Sequence, residues 1–361
     1  MPALRYAIIG SGMMGQEHIR NIALLDDAVV SAVADPDAGM RSVASQLAGS
    51  HVQAFSDYKE ILSTDVADVL VIASPNYTHI DVMQDVLSSD LPILVEKPLC
   101  TTVEDCRKIT SLAKGRRAPV WVAMEYRYMP PVATLINEIE LGTIGAIKSL
   151  TIREHRFPFL EKVGDWNRFS KNTGGTLVEK CCHFFDLMRL IAKANPVRIY
   201  ASGGQDVNHL DERYGGKTPD IVDNAMVIVD FDSGVRGLLE LCMFADGSYH
   251  QEQITAIGDK AKIEAMVPGP ARFWPGAKER EAEVIISPRF SKEIECRPIP
   301  VDEAVLSAGD HHGSTYYQHI NFHKIIREGG TPDITLADGA IAVEMGAAAE
   351  TSIRTGEPVR F

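Results

Sequence analysis

The chain has 361 residues, 45% of them hydrophobic and 24% charged, with a formal net charge of −13. That length exceeds one ordinary core and fits two domains, while the negative balance speaks against nucleic acid and anionic membrane surfaces as partners, and no apolar run approaches the roughly 20 residues of a membrane span. The N-terminus goes straight into a strand, so no signal peptide is expected, and Cys100, Cys106, Cys181, Cys182, Cys242 and Cys296 form neither a C-x-x-C pair nor a metal spacing, which points to reduced thiols in the cytoplasm and no bound metal.

The first third alternates strand and helix. Tyr6 to Ile9 is an apolar run that breaks into Gly10-Ser11-Gly12-Met13-Met14-Gly15 and continues as a helix with Ile19, Ile22 and Ala23 on one face. This is G-x-G-x-x-G between a strand and a helix. Gly10 permits the tight turn, Gly12 lets a pyrophosphate approach the backbone, and Gly15 lets helix and strand pack closely. The helix N-terminus adjoining Met13 and Met14 offers free N–H groups to phosphates. An ordinary glycine-rich turn is the alternative reading. Val29 to Val33 is the second strand, ending at Ala34-Asp35-Pro36. Asp35 stands where the fingerprint needs a carboxylate for the ribose hydroxyls; it would repel a 2′-phosphate, so NAD is favoured over NADP, although Arg41 nearby leaves room for the latter. Residues 38–48 and 57–63 read as helices. Asp68 to Ala73, Pro92 to Val95 and residues 119–124 are strands without polar alternation, as parallel strands covered on both faces are, with a helix over 103–114 between the last two. A dinucleotide-binding domain over residues 1–124 follows.

Past Met124 the pattern changes. A helix near 131–140 precedes longer strands at 146–156, 197–207, 222–232, 235–245, 253–257 and 261–265, with Asp232-Ser233-Gly234 as a hairpin turn. These predict a large, mostly antiparallel sheet within a second α/β domain, residues 125–361, whose uncovered face would suit an oligomer partner. The stretch 268–310 is rich in Pro, Gly and charge and reads as loops and edges; helices near 314–328 and 336–354 close the chain.

Two segments carry candidate chemistry. Strand 92–95 ends in Glu96-Lys97-Pro98, at the carboxyl edge of the sheet where ligands bind in open α/β folds. Lys97 there can hold a substrate oxygen, and burial would lower its pKa toward a proton-shuttling range; Glu96 can pair with it or meet the cofactor. A surface Glu–Lys pair is the competing reading. The preceding strand ends in Ser74-Pro75-Asn76-Tyr77-Thr78-His79, at the same edge. In the second domain, Gly174-Gly175 opens an expected helix running to about Ala192, in which Glu179 and His183 are four residues apart on one face, followed by Asp186. A carboxylate beside His183 would set its tautomer and let it take a proton from an alcohol; a surface Glu–His pair is the alternative. Cys181 and Cys182 read as buried packing. His311, His312 and Arg168 can each reach a substrate or remain ordinary loop residues. Arg153, His155, Arg156 and Arg168 make one region basic, which is read as strand-edge charge in preference to an acidic-sugar site.

Taken together, G-x-G-x-x-G-x-x-H at Gly10 to His18, Pro75-Asn76-x-x-His79, Glu96-Lys97-Pro98, Tyr126-Arg127-Tyr128-Met129-Pro130, Gly174 to Asp186 and Val222-Asp223-Asn224 resemble the Gfo/Idh/MocA family over essentially the whole chain. The resemblance implies a Rossmann domain followed by an open-sheet α/β domain, and NAD-dependent oxidation or reduction of a secondary carbinol on a sugar, inositol or related polyol. It makes Lys97, His183 and Glu179 catalytic. It assigns Gly10, Gly12, Met13, Met14, Gly15, Asp35, Ser74, Pro75, Asn76, His79, Glu96, Lys97 and Arg127 to the cofactor, and adds Arg168 and His312 to the substrate contacts. Glu179 stands where most members carry Asp, Thr176 where a third glycine is usual, and Glu125 where Asn is common. A homodimer or homotetramer is implied. Redox-assisted glycoside cleavage with recycled NAD and a non-catalytic dinucleotide or sugar sensor are the alternatives within the fold.

Overall fold

A computed structural model of the chain describes residues 2–278 and 280–361. Strands β1 (Leu4–Ile9), β2 (Ala28–Ala34), β3 (Gln53–Phe55), β4 (Val69–Ile72), β5 (Ile93–Val95) and β6 (Val120–Val122) form a six-stranded sheet in the order β3-β2-β1-β4-β5-β6. Every pairing in it is parallel. Val69, Leu70, Val71 and Ile72 are completely buried because helices cover both faces of β4, and each such side chain contributes roughly 1.5–3 kcal/mol relative to exposure. The strand order reverses between β1 and β4, so the carboxyl ends of these two strands diverge into a crevice. The helix Ala38–Ala48 falls where the periodicity put it, capped by Asp37 on the Met40 N–H. β3 is too short and too exposed to announce itself in the sequence.

The rest of the chain builds a nine-stranded sheet from β7 (Ile147–His155), β8 (Pro196–Gly204), β9 (Asn224–Phe231), β10 (Arg236–Cys242), β11 (Glu252–Gly258), β12 (Ala261–Val267), β13 (Ala282–Pro288), β14 (Glu295–Ile299) and β15 (Val359–Arg360), ordered β14-β13-β12-β11-β7-β10-β9-β8-β15. Only β7 and β10 pair parallel. Burial alternates along β12, with Ile263 and Ala265 inward and Lys262 and Glu264 partly exposed, as a sheet with one covered face requires. On the uncovered face Met226, Ile228 and Leu238 meet solvent. The segment 268–310, expected as loops and edges, instead supplies two strands and the helix Glu303–Ser307. Ala282 to Pro288 does carry a buried alternation, but it is flanked by Pro, Gly and charge and lies inside the sheet beside β12.

Two closing helices return to the first sheet. Ser314–Glu328 packs along Met13–Ile22, with His319 Nε2 at 2.9 Å from His18 Nδ1. Leu336–Thr355 lies against Val103–Leu112, and the N–H of Val122 donates to Ile334. Gly339 and Gly346 let this long helix approach: a Cβ on Gly346 would stand 2.6 Å from the Leu177 carbonyl oxygen. The two sheets therefore share one apolar core. Among the described residues no helix is long and apolar enough to cross a membrane.

Candidate active site

The glycine turn leaves β1 at Gly10, whose φ of +94° and whose closeness to Ser74, 2.5 Å from a hypothetical Cβ to that backbone nitrogen, both demand glycine. A Cβ on Gly15 would fall 2.0 Å from the Gly10 carbonyl oxygen, so this glycine sets the helix against the strand. Gly12 is different: a Cβ there meets nothing within 4 Å, and no side chain caps the helix Met13–Ile22 that follows. Open space and free N–H groups at a helix N-terminus form an anion cradle. Asp35 stands beside it at the end of β2. One carboxylate oxygen accepts from the Ser11 N–H at 2.7 Å and the other from the Asp37 N–H at 2.8 Å. The Arg41 guanidinium is spent on the carbonyls of Asp35 and Pro36 and is not held ready for a 2′-phosphate. These residues fit NAD, with the pyrophosphate over Gly12 and a ribose on Asp35. Gly12→Val is therefore expected to leave the melting temperature of the free protein within about 1 °C while weakening NAD binding at least tenfold by calorimetry, because its side chain enters ligand space only. Gly15→Ala is expected to unfold the protein at lower temperature, since backbone must move to admit its Cβ.

Behind the turn, the carboxyl ends of β4 and β5 carry the next residues. Ser74 accepts from Thr78, and Asn76 is buried near Glu179. His79 and Glu96, expected to meet the cofactor, do not face the cavity. His79 is completely buried, its ring between the carbonyls of Pro98 and Ser74 at 2.8 and 3.0 Å. It ties the two loops together. Glu96 takes His18 Nε2 at 3.0 Å and the Lys97 N–H at 3.2 Å, so the His of G-x-G-x-x-G-x-x-H anchors the lysine loop from beneath.

Lys97 lies in a cavity of about 600 Å³ between the two sheets, lined also by Met13, Met14, Tyr126, Glu179, His183 and His312. Its ammonium donates to the Glu179 carbonyl oxygen at 3.3 Å. Burial pulls its pKa down, but the negative groups around it, Cys182 as thiolate and then the carboxylates of Glu96 and Glu179, more than reverse this, and the net direction is upward. Lys97 is a fixed cation, contrary to the lowered pKa expected from burial alone.

The helix expected from Gly175 to Ala192 is broken. One turn covers Thr176–Glu179 and a second helix runs Cys182–Ala192, with Cys181 between them near φ −84°, ψ −4°. The break removes the shared face. Glu179 looks toward Lys97 and Lys162, with burial raising its pKa against their pull, and makes no hydrogen bond to His183. Asp186 does not touch His183 either. It holds Arg127 in a two-pronged pair at 2.6 and 2.5 Å, so Arg127, expected at the cofactor, is a strut between the helix and the Glu125–Tyr128 turn. Arg168, expected at the substrate, is buried against Glu212 at 3.1 Å and does not line the cavity.

What orients His183 is a residue the sequence did not single out. The ring of Tyr126 stacks flat on it, centroids 4.0 Å apart and planes 6° from parallel. Lys180 donates to the Tyr126 hydroxyl at 2.5 Å and pairs with Glu154 at 2.8 Å. Burial first, then the cations Lys97 and Lys180, push the His183 pKa well below 6.5. His183 is thus a neutral imidazole, and its Nδ1 has no protein partner. Tyr126 lay within a quoted motif, but nothing in one dimension marks which ring will stack.

His311 sits against acids. Its Nδ1 lies 2.8 Å from Glu17 and 3.5 Å from Glu125, and the Thr315 hydroxyl reaches Glu17 at 2.9 Å and Glu125. The one Thr315 hydroxyl lies between the two carboxylates, Glu17 and Glu125, and burial, the largest influence on Glu125, raises its pKa. His311 is raised to about 9, the pull of Glu17 and Glu125 prevailing over burial. A histidine raised in the fold stabilises below its ordinary 6.5 and loses that contribution as pH climbs to about 9. The melting temperature should therefore fall between pH 6.5 and 9 in the wild type, and His311→Gln should flatten that slope. His312 lines the same cavity with positive φ of 50°, and burial lowers it to about 4.

Comparison with known proteins follows this geometry. The profile described as "Oxidoreductase family, NAD-binding Rossmann fold" matches residues 4–124, and "Oxidoreductase family, C-terminal alpha/beta domain" of the same family matches residues 136–361. The chain belongs to the Gfo/Idh/MocA oxidoreductase family. It is 26% identical over 362 residues to scyllo-inositol 2-dehydrogenase (NAD(+)) of Bacillus subtilis, covering 99% of this chain and 96% of that one. It is 30% identical over 320 residues to inositol 2-dehydrogenase of Corynebacterium glutamicum, covering 85% and 88%. Levoglucosan dehydrogenase, solved with NADH and L-sorbose, superposes with a TM-score of 0.82 at 22% identity over 100% of this chain and 99% of that one. Within the Gfo/Idh/MocA family this chain is an NAD-binding oxidoreductase of the inositol and sugar dehydrogenase kind.

Proposed function

We propose that the chain is an NAD-dependent dehydrogenase that oxidises a secondary carbinol of a sugar, inositol or related polyol. The observation that carries this is the meeting of Lys97 and His183 on one cavity that also opens on Met13 and Met14 of the glycine turn. Bound NAD supplies a hydride acceptor. The ammonium of Lys97 donates to the carbinol oxygen and holds the negative charge that grows there. Neutral His183 takes the hydroxyl proton, Tyr126 holds its plane, and Glu179 balances the charge of Lys97. The C–H pair leaves as hydride, the C–O bond becomes a carbonyl, and the proton rests on His183. The exposed apolar residues Met226, Ile228 and Leu238 of the large sheet support a homodimer or homotetramer across that face.

The test is absorbance at 340 nm with NAD against inositols, hexoses, pentoses, anhydrosugars and sugar acids. NADH formed in step with ketone or lactone is the expected result. Substrate lost without net NADH would replace this reading with redox-assisted cleavage. NAD binding without any consumption would replace it with a sensor.

A further inference from the structure

Several charges lining the cavity are already answered: Arg20 donates to the Ala308 carbonyl and Arg280 to the Tyr249 carbonyl. Glu17 is matched by His311, Asp310 by Arg272 and Lys180 by Glu154. Lys162, on the loop after β7, lines the cavity and its ammonium has no hydrogen-bond or ion-pair partner among the described residues; burial lowers its pKa, and Glu179 is the largest opposing influence. Arg156, at the end of the same strand, has a weak partner. Its Nη1 is 3.4 Å from a Glu154 oxygen that Lys180 already holds at 2.8 Å, and its Nε donates to its neighbour's carbonyl at Phe157. Glu96 lies behind with His18, so Lys97, Lys162 and Arg156 stand against one cavity carboxylate, Glu179. The other members of the basic stretch are spent elsewhere: Arg153 and His155 on Glu240, Arg168 on Glu212. The ammonium and the guanidinium edge thus present two cations to whatever enters the cavity.

Resting on the dehydrogenase reading, we propose that the substrate is a sugar acid, whose carboxylate is held by Lys162 and Arg156 while Lys97 and His183 work on a nearby hydroxyl. A guanidinium edge with an adjoining ammonium matches the two oxygens of a carboxylate. A neutral hexose or cyclitol would leave both cations unanswered.

The probes are D-glucuronate against D-glucose, D-gluconate against sorbitol, and D-glucose 6-phosphate, each at pH 7 with the NAD-loaded wild type, Lys162→Met and Lys162→Arg. NADH formation and calorimetric binding are both read. The acid of each pair is expected to exceed its neutral counterpart at least about tenfold in kcat/KM and in affinity, as a charged hydrogen bond implies. That ratio should collapse toward one in Lys162→Met and survive largely in Lys162→Arg. Equal or better use of the neutral probes, or an acid-to-neutral ratio untouched by Lys162→Met, overturns the assignment. Preference for the phosphate ester over both acids overturns the carboxylate. The dehydrogenase reading fails separately, if no member of the wider polyol panel yields NADH; calorimetry still decides this one: acid binding lost in Lys162→Met supports it, and no acid binding overturns it.

Discussion

His183→Ala is expected to lower kcat/KM for the polyol by about 10²- to 10⁴-fold, the range a positioned general base contributes, with NAD affinity changed less than twofold. The sharper part of the prediction is its pH dependence. In the oxidation direction the base must be neutral. Burial, Lys97 and Lys180 disfavour the imidazolium, so the folded pKa lies well below 6.5 and the working form persists as pH falls through the ordinary histidine range. The acid limb of kcat/KM should accordingly begin below pH 6.5, where a solvated histidine would already have lost half its activity. Lys180→Met removes one of the cations that depress His183 and the donor to the Tyr126 hydroxyl. It should move the acid limb upward. A limb at or above 6.5 in the wild type, or one that Lys180→Met does not move, would reject His183 as a neutral base held by this environment. His183→Asn keeps much of the stack on Tyr126 and separates lost chemistry from lost packing.

Lys97→Met is expected to cost about 10³-fold in kcat, comparable to loss of one donor that stabilises developing oxyanion charge, and to be poorly rescued by Lys97→Arg. A guanidinium is planar and larger, and the space beside Glu179 is shaped for a point charge. Because Lys97 has its pKa raised from 10.5 by the negative groups around it, Cys182 first and then Glu96 and Glu179, no alkaline limb below that value should trace to it. An alkaline limb near neutrality that vanishes in Lys97→Met would show that Lys97 moves the proton, and would exchange the roles assigned to Lys97 and His183. The two variants together separate electrostatic support from proton transfer: the first should alter the level of the pH profile, the second its shape.

How far the sequence reaches is visible at particular residues. Gly10, Gly12 and Gly15 were legible because each answers a local demand: a positive φ, an open approach, a helix close to a strand. Asp35 was legible for the same reason, a fixed distance along one βα unit. The unbroken apolar runs at β4 and β5 announced parallel strands, and Lys97 followed from its place at the carboxyl end of such a strand. Glu179 and His183 were found as residues but misread as a pair, since i and i+4 spacing means contact only if the helix is continuous, and the turn at Cys181 interrupts it. Asp186 was misread for the same reason and serves Arg127 instead.

Local spacing thus determined the dinucleotide fold, its glycine turn and the strand end that carries Lys97, because hydrogen-bonding period and backbone sterics act within a few residues. Which buried ions are paired was decided only by the tertiary structure. Tyr126 on His183, Thr315 between Glu17 and Glu125, Arg168 on Glu212 and the unanswered Lys162 join residues tens to hundreds of positions apart. A charge removed from water takes its meaning from whatever the fold brings within a few ångströms of it, and no period along the chain encodes that distance.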